Sequence, residues 1–211
     1  MTVPLLSILA LMSLVVLLRA YRIEYDAVVY AAKPLTLLAI GLIAYFSWPP
    51  VSTMYQKAIL VGLAGALLGD VLLMLPKDRF LAGLAAFLIT HVAYGAAFVS
   101  RLELIPVLPF LPYTVASLFV LRLLWPHTKG VRFPVALYTI ALAAMASLAF
   151  GVAMTVGGAS AWFAAAGAAL FVLSDAALAF DRFVGAFGAA RTVILTTYFA
   201  GQWLIALSVG L

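Results

Sequence analysis

Four ionisable side chains, Lys33, Asp70, His91 and Asp175, lie inside long runs of apolar residues. Insertion scales put the cost of a charged Asp or Lys at the centre of a membrane helix at about 3 kcal/mol, and such residues mark proton relays, ion paths or polar substrate sites. Two carboxyls beside one cavity suit acid–base chemistry, in which one gives a proton to a reacting group while the other orients water or steadies a developing cation. A structural alternative stands beside this reading: Lys33 neutralises one aspartate as a buried pair that fixes helix packing, although one lysine cannot neutralise two. His91 shares a helical face with Tyr94 and Phe98, and bonding to a neighbouring helix would account for it equally well.

The elements that must hold these groups follow from composition. Of 211 residues, 67% are hydrophobic and only 9% are charged, and the mean hydropathy of +1.23 is far from that of a soluble domain. The apolar runs are continuous rather than alternating, so they read as helices and not as barrel strands. Spans are expected near 4–19, 28–48, 57–75, 80–99, 104–125, 134–156, 160–180 and 191–210. The fold class is therefore all-α, a polytopic bundle of eight transmembrane helices forming a single integral membrane domain over 1–211. The fifth span is the weakest, because Pro106, Pro109 and Pro112 crowd its first half.

Cytoplasmic loops retain Lys and Arg. Nine such residues flank the odd-numbered loops (Arg19, Arg22, Lys77, Arg79, Arg122, Lys129, Arg132, Arg182 and Arg191), whereas Lys57 and Arg101 flank the even ones. Both chain ends are thus expected on the non-cytoplasmic side, with the first apolar run kept as a helix because its basic residues follow it. The net charge of +5 reflects this topology and anionic membrane lipids, and no basic cluster is dense enough for nucleic acid. Gly69-Asp70 followed by Asp78-Arg79-Phe80 echoes Ser174-Asp175 followed by Asp181-Arg182-Phe183. Two parallel four-helix repeats would produce that echo, and so would chance between short stretches of biased composition.

Tyr198 and Gln202 are one helical turn apart in the last span, and Ser174 precedes Asp175, which extends the polar lining. Arg79 and Arg182 stand at the rim, where a guanidinium suits a lipid phosphate or serves topology alone. Metal binding is disfavoured, since the chain has no cysteine and no His pair at helical spacing, and His127 lies in a loop beside Pro126.

Lys33-Pro34, Gly69-Asp70, Phe80 with Gly83, Phe87, His91 with Tyr94, Ser174-Asp175, Arg182-Phe183 and Tyr198 with Gln202, in this order and spacing, resemble the YhhN-like membrane proteins, which include the lysoplasmalogenases. The resemblance runs along nearly the whole chain. It departs at Thr197-Tyr198-Phe199-Ala200-Gly201-Gln202, where a double tyrosine followed by Ala-Gln would be expected. The resemblance implies a multi-pass hydrolase of the inner membrane that cleaves the vinyl ether bond of a lysophospholipid, the lysoplasmalogen, to a fatty aldehyde and glycerophosphoethanolamine or glycerophosphocholine. Asp70 and Asp175 would be the acid and base. Lys33, His91, Tyr94, Ser174, Tyr198 and Gln202 would line the site, Arg79 and Arg182 would meet the phosphate, and no cofactor is needed. The alternative is a small transporter or lipid-binding protein that uses the same carboxylates for proton relay or headgroup binding, and a third is a structural membrane subunit.

Overall fold

The computed structural model describes residues 2–77 and 79–210; Asp78, part of the sequence echo, lies outside them. Among the described residues there are eight helices and no strand: α1 Thr2–Arg22, α2 Asp26–Phe46, α3 Thr53–Met74, α4 Phe80–Val99, α5 Phe110–Leu124, α6 Arg132–Thr155, α7 Gly158–Phe183 and α8 Ala190–Leu207. Trp48-Pro49-Pro50 separates α2 from α3, and the Ser52 side chain accepts the Tyr55 N–H at 3.1 Å to cap α3. Gly157 and Gly158 turn α6 into α7 with φ of +69° and +79°, a region that costs a side chain but not glycine.

Six of these helices, α1 to α4, α6 and α7, are long and apolar enough to cross a membrane. The chain is a multi-pass membrane protein. α5 begins at Phe110 instead of near 104 and has 15 residues, about 22 Å of helix against a bilayer core of about 30 Å. The prolines explain the shift. Pro106 lies in the preceding loop, Pro109 occupies the cap, and Pro112 falls in the first turn, where its missing N–H loses no helical bond. α8, which carries Arg191, several threonines and Gln202, is not among the six.

Helices pack as consecutive pairs, α1 on α2, α3 on α4, α5 on α6 and α7 on α8, with α4 against α6, α6 against α7 and α2 against α8 joining the pairs. α1 and α5 are peripheral; Leu124 is the one buried residue of α5. Between apolar helices in lipid, association rests on close packing and interhelical hydrogen bonds. Gly167 and Gly201 supply the close packing, since a methyl on Gly167 would sit 2.6 Å from the Gly201 carbonyl oxygen. At the end of the bundle remote from most arginines, Arg101 donates to Ser160 Oγ at 2.8 Å, Ser160 donates to the Ser208 carbonyl at 2.6 Å, and Tyr55 Oη and Ser208 Oγ are 2.7 Å apart. That network ties α3, α7 and α8 to the segment after α4.

Candidate active site

Lys33, Asp70, Thr90, His91, Ser174 and Gln202 are buried, while most of the large exposed side chains are the leucines, valines and isoleucines of the outer surface. Two carboxylates organise this interior. Lys33 Nζ of α2 lies 2.8 Å from Asp70 Oδ1 of α3, and Tyr198 Oη of α8 donates to Asp70 Oδ2 at 2.9 Å. Tyr138 Oη of α6 donates to Asp175 Oδ2 of α7 at 2.5 Å, and His91 Nε2 of α4 stands 3.7 Å from the same oxygen. Each aspartate therefore takes one partner from the helix preceding its own and another from α4 or α8.

The two sets match in sequence as well. The interval between Asp70 and Asp175 also separates Lys33 from Tyr138 and Gly62 from Gly167. Halves α1–α4 and α5–α8, each lending its fourth helix to the other half's aspartate, would give this arrangement. Tyr138 was not among the residues singled out above, because a neutral aromatic side chain inside an apolar run raises no alarm. Its position in the repeat was the signal that pointed to it.

A cavity of about 200 Å³ brings five of the expected residues together: Lys33, Asp70, Ser174, Asp175 and Tyr198 all border it. Ser174 spends its hydroxyl proton on the Ile194 carbonyl at 3.0 Å, linking α7 to α8. An apolar pocket of about 90 Å³ adjoins the cavity and shares Leu73, Phe87, Asp175 and Leu178 with it. It runs beneath α5 along Ala116, Ser117, Val120 and Leu124. Asp175 thus stands where a polar chamber meets a greasy one.

The remaining expected residues lie elsewhere. Tyr94 Oη donates to Gln202 Oε1 at 2.5 Å in the packed core, and neither residue borders the cavity. Gly62 makes room for the Tyr94 ring, which a methyl there would overlap. His91 is wedged between the rings of Tyr138 and Phe171, with centroids at 4.9 and 5.1 Å. Arg79 precedes α4, and the Arg182 guanidinium lies 4.0 Å over the Phe80 ring. Neither arginine borders the cavity beside the aspartates; the arginine that does is Arg191. No group of three or more His, Asp or Glu side chains is arranged to hold a metal ion among the described residues.

Interhelical hydrogen bonds in membranes contribute on average about 0.6 kcal/mol each, whereas each charged side chain at mid-helix costs about 3 kcal/mol. Packing alone would be better served by apolar residues of similar size.

The model of the YhhN family matches residues 28–209. The chain belongs to the YhhN family. Among its relatives, the protein called "Uncharacterized membrane protein YhhN" from Escherichia coli O157:H7 is 30% identical over 174 residues, 82% of this chain and 83% of that protein. "Lysoplasmalogenase TMEM86B" from Homo sapiens is 36% identical over 188 residues, 88% of this chain and 78% of that protein. Its counterpart from Sus scrofa is 40% identical over 151 residues, 70% of this chain and 62% of that protein. No solved structure matches the chain. In this YhhN family member the matched region spans α2 to α8, and hence both aspartates with all four of their partners.

Proposed function

We propose that this protein is a membrane hydrolase that cleaves the vinyl ether bond of a lysophospholipid, releasing a fatty aldehyde and a glycerophospho-headgroup. The observation that carries the reading is the shared cavity. Two carboxylates, Asp70 held by Lys33 and Tyr198 and Asp175 held by Tyr138, border one chamber that adjoins an apolar pocket sized for part of a single chain. Relatives named lysoplasmalogenase support the substrate class.

Asp175 is the proton donor in this scheme, because no lysine or arginine pairs with it among the described residues and it stands at the mouth of the apolar pocket. Its proton goes to the vinyl carbon farther from oxygen, and the carbon bonded to oxygen becomes an oxocarbenium centre. Asp70, kept as the acceptor by Lys33 and Tyr198, steadies that cation and takes a proton from the water that adds to it. The hemiacetal then collapses. Its hydroxyl proton returns to Asp175, the proton on Asp70 goes to the departing glycerol oxygen, and one water has been consumed with both carboxyls restored. His91 positions Asp175, while Tyr94 and Gln202 support the floor of the site.

The same reading takes all eight helices as crossings, with both ends on the non-cytoplasmic side and the cavity opening toward the cytoplasm. α5 would then cross a locally thinned or protein-bordered stretch.

The test is aldehyde release from matched lysolipids by purified protein. Wild type should release aldehyde from the vinyl ether and leave the ester counterpart intact, and Asp70→Asn and Asp175→Asn should each lose at least about a hundredfold in kcat. Full turnover in either variant removes that aspartate from the chemistry, and binding without any product favours a transporter or lipid-binding protein.

A further inference from the structure

Seven residues before Tyr198, and so about 10 Å along the same face of α8, stands Arg191. It borders two chambers at once. One is the cavity of the aspartates; the other is a vestibule of about 920 Å³ at the arginine-rich end of the bundle, lined by Arg19, Arg22, Arg191 and Asp181. Tyr21, Asp181 and Arg191 border both, so the vestibule abuts the cavity. The guanidinium of Arg191 lies 4.6 Å from the centroid of the Tyr21 ring, which holds it at the junction while leaving its N–H edge available to an anion.

Topology alone does not account for this gathering. Arg132 belongs to the same end of the bundle, yet it stacks on Trp125 and donates to the Trp125 carbonyl at 3.1 Å, bordering neither chamber. Arg19 and Arg22, by contrast, lie on one face of the last turn of α1 and line the vestibule with Arg191. No ion pair engages any of the three among the described residues. Asp181 is the one acid of the vestibule among the described residues, and one of its oxygens, Oδ1, accepts the Phe187 N–H at 3.3 Å.

We propose that this vestibule binds a zwitterionic lysolipid headgroup, with Arg19, Arg22 and Arg191 taking the phosphate and Asp181 taking the ammonium. The proposal rests on the lysolipid reading above and names what positions the substrate in it. The reach of the Arg191 side chain and a three-carbon glycerol together cover the two helical turns to Tyr198, so a phosphate held at Arg191 delivers the vinyl ether to the level of Asp70 and Asp175.

The experiment reads binding without turnover. Full-length protein in a phosphate-free, non-ionic detergent is titrated with 1-acyl lysophosphatidylethanolamine, 1-acyl lysophosphatidic acid, the 1-monoacylglycerol of the same chain, and inorganic phosphate. Wild type is expected to bind lysophosphatidylethanolamine about tenfold more tightly than the monoacylglycerol, and to bind inorganic phosphate weakly. Arg191→Gln should reduce that preference to about twofold, Arg191→Lys should recover part of it, and Arg122→Gln should keep it whole. Asp181→Asn should weaken the ethanolamine lipid and leave lysophosphatidic acid unchanged. Melting temperatures without lipid identify any variant that has not folded. Equal affinity of wild type for the phosphate lipid and the monoacylglycerol overturns the proposal, as does a preference untouched by Arg191→Gln and by the Arg19→Gln, Arg22→Gln pair. A protein that shows the preference but releases no aldehyde overturns the hydrolase reading and leaves the headgroup site standing.

Discussion

Nε2 of His91 stands 3.7 Å from Oδ2 of Asp175, within ion-pair range but beyond a hydrogen bond, and neither ring nitrogen has a hydrogen-bond partner among the described residues. A buried imidazole without partners is costly unless a working state of the site supplies one. We expect His91 to engage Asp175 during turnover. His91→Gln should lower kcat about tenfold with KM within about twofold, and should alter the pH dependence of kcat. An unchanged pH profile would assign the ring to packing against Tyr138 and Phe171.

Tyr138→Phe removes a single hydroxyl, the one that donates to Asp175, and leaves the ring in place. In the proposed step Asp175 becomes a carboxylate as it gives up its proton, and a hydrogen bond to a charged group is worth about 1.5–3 kcal/mol, so kcat should fall by about ten- to a hundredfold while the melting temperature, which reads the neutral resting acid, moves less. Wild-type turnover would mean that Asp175 works without this donor.

The Lys33–Asp70 pair separates stability from chemistry. Lys33→Met strands a carboxylate in the interior and should destabilise the fold by about 3–5 kcal/mol. Adding Asp70→Asn should recover most of that stability and none of the activity, a coupling visible in a double-mutant cycle of melting temperatures and rates. Recovered turnover in the double variant would exclude Asp70 from the reaction.

Orientation is open to labelling, and the absence of cysteine leaves no background. In intact cells, an impermeant thiol reagent should modify Lys57→Cys and spare Lys77→Cys until the membrane is opened. The reverse pattern would turn the cavity entrance to the other side.

The apolar helices were legible because a crossing needs a long run without charge, and the runs beginning near 28, 57 and 80 lie within a few residues of α2, α3 and α4. The ends were less so. α1 continues through Arg19 to Arg22 and α7 through Asp181 and Arg182 to Phe183, because long basic side chains can reach the interface while their backbone stays helical. Within the site, charge in an apolar run pointed to Lys33, Asp70, His91 and Asp175. It was silent on Tyr138, which is neutral, and it made Arg191 a marker of topology when the structure sets that residue between two chambers. Gln202, a polar residue in an apolar span, and Tyr94, on the helical face of His91, pair with each other instead of facing the cavity.

The knot of Arg101, Ser160, Ser208 and Tyr55 rivets α7 to α8 at one end, the backbone contact of Gly167 and Gly201 presses them together farther along, and the Ser174 bond to the Ile194 carbonyl stitches them again beside Asp175. Fastened at both levels, α7 and α8 form one plank, and the wall that carries Asp175 and Tyr198 faces the chamber in a fixed register.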